Sequence, residues 1–122
     1  MTYFRKRRNA FGYALRGLKA FFTWEDHPKI HAVAAITALA MGFGFSISTM
    51  EWIAVIICIG MVISLEAVNS AIEQLTDIAS PDYLEAAGKV KDIAAAAVLV
   101  ASIAAAATGL IIFIPKILDA LV

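Results

Sequence analysis

Residues 30–50 and 93–114 contain no Asp, Glu, Lys or Arg, and residues 52–65 form a third uncharged run. About 20 consecutive apolar residues are enough to cross a hydrocarbon core of roughly 30 Å as a helix. A chain of 122 residues, enough for one domain, cannot bury that much contiguous apolar sequence in a core of its own. The composition agrees. The chain is 61% hydrophobic and 16% charged, with a mean hydropathy of +0.83, against roughly 45–50% apolar and about 25% charged in soluble domains. Lipid is therefore the expected solvent, and the expected fold is an all-α membrane protein.

Helical periodicity carries the second run past its uncharged part to about Ala79, and Trp52 opens it with an indole suited to the membrane interface. Ser80-Pro81-Asp82 then makes a turn or a helix start, because proline is tolerated early in a helix and not inside one. The expected spans are residues 30–50, 52–79 and 84–115, the last closed by Pro115 and Lys116. The alanine runs at 94–97 and 104–107 suit close helix approach.

Residues 1–28 differ. Phe11, Leu15, Leu18 and Phe22 recur on one helical face, while Arg8, Arg16 and Lys19 fall largely off it. This pattern predicts an amphipathic helix lying in the membrane interface. Basic residues before the first span, and Lys89 and Lys91 before the third, put the N-terminus on the cytoplasmic side by the positive-inside rule. No secretory signal is expected. Cys58 is the single cysteine, so no intrachain disulfide or CxxC metal site forms. The net charge of zero argues neither for nor against nucleic acid; the expected partners are the bilayer and a lipid, not nucleic acid.

The second span carries the chemistry. At 100° per residue Glu66, Glu73 and Asp77 point within about 20° of one direction, with Asn69 about 60° aside. Counted from Trp52, Glu66 lies roughly 21 Å into the membrane and Glu73 about 10 Å further on, near cytoplasmic water. An acid at the depth of Glu66 costs on the order of 2–3 kcal/mol on insertion scales, which marks it as functional by default. Polar glue between helices is the bland reading of such a stripe, and an ion pathway through a non-enzymatic channel or transport subunit is another. Carboxylates at the surface can hold Mg²⁺ bridging phosphates. A deeper one can act as general base toward a lipid hydroxyl. Lys91 and Asp92 open the third span at the same level, where a lysine suits a phosphate. The chain has no Walker loop and no protein-kinase motif, so any phosphoryl transfer uses a different kind of site.

Glu66-Ala-Val-Asn69-Ser-Ala-Ile-Glu73, followed by Asp77 and by Lys91-Asp92, resembles the bacterial membrane-integral diacylglycerol kinase/undecaprenol kinase family. The likeness runs from Arg16 to Pro115. It implies a homotrimer in the bacterial inner membrane, with active sites shared between subunits and open to the cytoplasm. It implies ATP as co-substrate and Mg²⁺ as metal. Glu66 would then be the catalytic base at the lipid hydroxyl, and Glu25 and Glu73 would hold the metal. Asn69, Asp77, Lys91 and Asp92 would line the nucleotide site, with Tyr13, Asp82 and Tyr83 at its edges, and Trp52 would join Glu66 on the lipid side. Lys6 stands where some diacylglycerol kinases have arginine, a departure from the pattern. His31, Glu51-Trp52 and the Phe113-x-Pro115-Lys116 ending are more similar to the undecaprenol branch than to the diacylglycerol branch.

Overall fold

The structure, a computed structural model, describes residues 2–24 and 27–122. The described residues form α1 (Tyr3–Trp24), α2 (His27–Gly44), α3 (Thr49–Ala79) and α4 (Glu85–Leu121), with no strand among them.

Each helix end has a local cause. Pro28 sits in the first turn of α2, where its missing N–H loses nothing, and its side chain is fully buried. The helix closes at Gly44, short of the expected Met50. The chain then turns through Ser46, whose φ is 51°. The early close comes from Ser48, which claims the next residues for α3. Its hydroxyl accepts from the Glu51 N–H at 3.2 Å, and Glu51 Oε1 accepts from the Ser48 N–H at 3.0 Å. This reciprocal capping box starts α3 at Thr49, before Trp52. At the far end the Ser80 N–H donates to the Thr76 carbonyl at 2.8 Å, and Pro81 follows.

Helix α4 runs through Pro115 to Leu121, so the expected stop at that proline does not occur. Proline removes one backbone donor, a loss that apolar helices packed against neighbours absorb. The extra turn brings Lys116 back to α3, where its Nζ lies 2.9 Å from Glu51 Oε2.

Helices α3 and α4 form an antiparallel hairpin tied at both ends, by Glu51–Lys116 at one and by Asp77–Lys91 at the other. Glu51 and Asp77 are about 39 Å apart along α3, slightly more than the roughly 30 Å hydrocarbon core. Both helices are long and apolar enough to cross a membrane, and only 22% and 17% of their apolar stretches are buried inside the chain. A soluble core helix would hide most of such a stretch; these surfaces face lipid or another chain. The apolar part of α2, Pro28–Gly44, is shorter than either.

Packing is graded along the hairpin. At the Glu51 end, Ile47, Val55, Ile112 and Phe113 form the buried core. Trp52 closes against α2 there, with its indole ring 4.8 Å from the Phe43 ring. Toward the Asp77 end the buried residues of α4 shrink to Ala101 and Ala94, opposite the polar part of α3. Helix α1 rests on that end of α3, with Gly17, Ala20 and Phe21 facing Ala67, Ser70, Ala71 and Gln74. Its Phe11, Leu15 and Leu18 are exposed.

Candidate active site

The polar stripe of α3 continues the helix's own buried seam. Val55, Val62, Glu66 and Asn69 are the buried residues of α3, at the spacing of one packed face. The seam is apolar for its first half and then turns acidic and amide-bearing. Glu66 is 5% exposed and Asn69 9%. Alanines across the interface leave room for these groups, because a larger side chain at Ala94 or Ala101 would fill the space beside them.

Asn69 Nδ2 donates to Glu73 Oε1 at 3.3 Å, which fixes the amide one turn before that carboxylate. Its Oδ1 is buried and has no hydrogen-bond partner. An orphaned amide oxygen beside a carboxylate is a hard-oxygen donor set. Mg²⁺ takes one or two carboxylates and completes its shell with waters and phosphate oxygens, so these donors fit it. Among the described residues no group of three or more His, Cys, Asp or Glu side chains could hold a metal unaided. Glu25, the expected second metal ligand, lies outside the described residues.

At the open end, Lys91 Nζ donates to Asp77 Oδ1 across the helix pair. Two expected nucleotide contacts are thus paired with each other. An ammonium has three donors, and this bond leaves the others for a phosphate. Asp92 is exposed beside Lys91. The Asp82 carbonyl accepts from the Ser80 hydroxyl at 3.2 Å in the α3–α4 turn. Tyr83 stands clear of the fold at 95% exposure, and the Tyr13 ring lies under the Arg16 guanidinium at 5.5 Å. Trp52 is at the opposite end of α3 from the stripe, about 21 Å from Glu66 along the axis.

His31, which the sequence marks only by its likeness to the undecaprenol branch, joins α2 to the buried carboxylate. Its Nε2 lies 2.9 Å from Glu66 Oε2. The sequence signal available for it was weak: one imidazole near the start of an otherwise uncharged run. A cleft of about 300 Å³ opens beside the pair, between α2, α3 and α4. Its walls are apolar and mostly small, including Ala34, Ala35, Ala105 and Gly109, and Ser102 supplies a buried hydroxyl without a partner.

The model of the prokaryotic diacylglycerol kinase family matches residues 12–113. The chain belongs to that family. It is similar to the undecaprenol kinase of Bacillus subtilis (strain 168), at 36% identity over 108 residues, 88% of each chain. It is also similar to the diacylglycerol kinase of Escherichia coli (strain K12), at 32% identity over 107 residues, again 88% of each. The diacylglycerol kinase of Synechocystis sp. (strain ATCC 27184 / PCC 6803 / Kazusa) shares 32% identity over 119 residues, 93% of this chain and 65% of that one. Membership makes the chain a prokaryotic membrane enzyme of the lipid-kinase class, with ATP as phosphoryl donor.

Proposed function

We propose that this kinase transfers the γ-phosphoryl group of MgATP to the hydroxyl of undecaprenol in preference to that of diacylglycerol. The observation that carries the phosphotransferase reading is Glu66, a carboxylate buried within an apolar helix and 2.9 Å from His31, which lines an apolar cleft. The cleft suits a hydrocarbon chain, and the carboxylate suits the alcohol at the end of it.

In this reading Glu66 accepts the proton of the lipid hydroxyl as the oxygen bonds to the γ-phosphorus. The bond from that phosphorus to the β-phosphate oxygen breaks, and ADP leaves on the cytoplasmic side. Glu73, braced by Asn69 and joined by Glu25, would hold Mg²⁺, which supplies charge neutralisation to the phosphates when bound. Lys91 offers its remaining donors to a phosphate, and Asp77 fixes where they point. Asp92, Asp82, Tyr83 and Tyr13 border the nucleotide, and Trp52 meets lipid at the outer boundary. All three apolar helices cross the membrane, with the N-terminus and the site facing the cytoplasm of a bacterial inner membrane. The large apolar surface of α3 and α4 supports assembly as a homotrimer, which would enclose a stripe that one chain leaves half covered.

The preference for undecaprenol is supported by the identity to the Bacillus enzyme and by His31, Glu51-Trp52 and the Phe113–Lys116 ending. The test is phosphorylation by purified protein in bicelles, run in parallel on undecaprenol and diacylglycerol. Undecaprenol should be the faster acceptor, and faster turnover of diacylglycerol reverses the assignment. Glu66→Gln should abolish transfer while the oligomer stays intact. Full activity in that variant removes Glu66 as the base.

A further inference from the structure

The carboxylate of Glu66 is unusual in how little holds it. Its Oε2 is shut off from solvent and has no aligned hydrogen bond. The one ionisable partner it meets among the described residues is His31, at 2.9 Å. The imidazole is near enough to bond. The two side chains are 25% and 6% exposed.

An ionised carboxylate out of water is costly without a donor. On α3 the neighbouring amide of Asn69 donates to Glu73 and makes no bond to Glu66. From α4, the register set by the two ion pairs brings Ser102 opposite Glu66, a hydroxyl that lines the cleft and has no partner. From α1, the residues that line a second cleft against α3 are Gly17, Ala20 and Phe21, none of which can donate from a side chain. His31 is also the polar group on the α2 wall of the cleft.

We propose that His31 is a positioning residue for the reaction: its imidazole N–H binds Glu66 Oε2, anchors the carboxylate within the apolar helix layer, and turns Oε1 toward the acceptor hydroxyl. The inference rests on the lipid-kinase reading above. It makes the first turns of α2 part of the chemistry and not only of the membrane anchor. His31 lines the α2 wall of the cleft, and its role here is toward Glu66. It acts through Glu66, so its loss slows the transfer step and leaves nucleotide binding alone.

Two near-isosteric replacements separate this role from space filling. His31→Gln keeps a side-chain N–H donor, and His31→Met keeps the volume without one. Steady-state kinetics of lipid phosphorylation are measured on both, on wild type and on Glu66→Gln, with circular dichroism and oligomer size as folding controls. The Met variant should lose at least about tenfold in kcat, the order expected from leaving a buried charged group without its donor, with KM for ATP unchanged. The Gln variant should recover most of that loss. Equal kcat in the Met and Gln variants, or a Met variant as fast as wild type, overturns the inference. If His31→Met does not fold, the smaller pair His31→Asn and His31→Leu is compared in the same way. Wild-type protein that phosphorylates neither lipid defeats the kinase reading itself. Active wild type, inactive Glu66→Gln and a fully active His31→Met defeat the role of His31 alone.

Discussion

Replacing Gly42 by alanine should destabilise this protein, against the usual effect of that change in a helix. Gly42 is buried in α2. A Cβ there would lie 2.6 Å from Cη2, 2.9 Å from Cζ2 and 3.1 Å from Cζ3 of Trp52. The indole cannot easily swing aside, because its ring packs on Phe43 at 4.8 Å and joins the core of Ile47, Val55 and Phe113. Removing a helical glycine gains about 1 kcal/mol in backbone propensity. Overpacking a filled site costs about 1–3 kcal/mol. The difference is a net loss of up to about 2 kcal/mol. Gly60, within α3, has no neighbouring atom within 4 Å of where a Cβ would stand, so Gly60→Ala should keep the propensity gain or be neutral. Reversible unfolding in mixed micelles of rising SDS fraction, followed by circular dichroism, reads both. Trp52→Phe combined with Gly42→Ala should return part of the loss, because the six-membered ring that meets the new methyl is gone. A Gly42→Ala variant as stable as Gly60→Ala, or a double variant no better than the two single losses added together, refutes the reasoning.

Other parts of the site predict separable outcomes. Ala35→Phe projects a ring into the cleft and should raise KM for the lipid severalfold with KM for ATP unchanged, by kinetics at varied lipid fraction. Lys91→Ala should do the reverse, weakening ATP by about tenfold, the order of one lost charge-assisted contact, as read by nucleotide titration. Lys116→Ala removes the tie to Glu51 and should lower the unfolding midpoint in mixed micelles without changing kcat, since Lys116 lies at the far end of the hairpin from Glu66 and Glu73.

What could be read from the sequence was what repeats along one helix. The stripe of Glu66, Asn69, Glu73 and Asp77 follows from a 100° rotation per residue, and the structure keeps Glu66 and Asn69 buried on one seam with Val55 and Val62. The helix ends were less legible because they depend on single residues in competition. Ser48 captures Thr49 and Met50 for α3 through its bonds with Glu51, and α4 passes Pro115 because packing across the hairpin outweighs one missing hydrogen bond. Contacts between helices were not legible, because the register of one helix on another is set by packing and leaves no periodic trace. Asp77 and Lys91 each looked available to a nucleotide, and only the crossing of α3 and α4 shows them joined.

The same limit hid the contact between His31 and Glu66. Helix α2 meets α3 at Gly42 beneath Trp52, and again at His31 beside Glu66. These points are 11 residues apart on α2, about 16 Å along its axis, so the helix acts as a strut whose seat at one end helps set the imidazole at the other. A steric push at Gly42 should therefore reach the active site as a lower kcat as well as a lower stability. The smaller ring of Trp52→Phe, placed in the Gly42→Ala background, should restore both together. Stability that recovers while kcat stays low would mean that His31 is seated by its own turn of α2, independently of the outer contact.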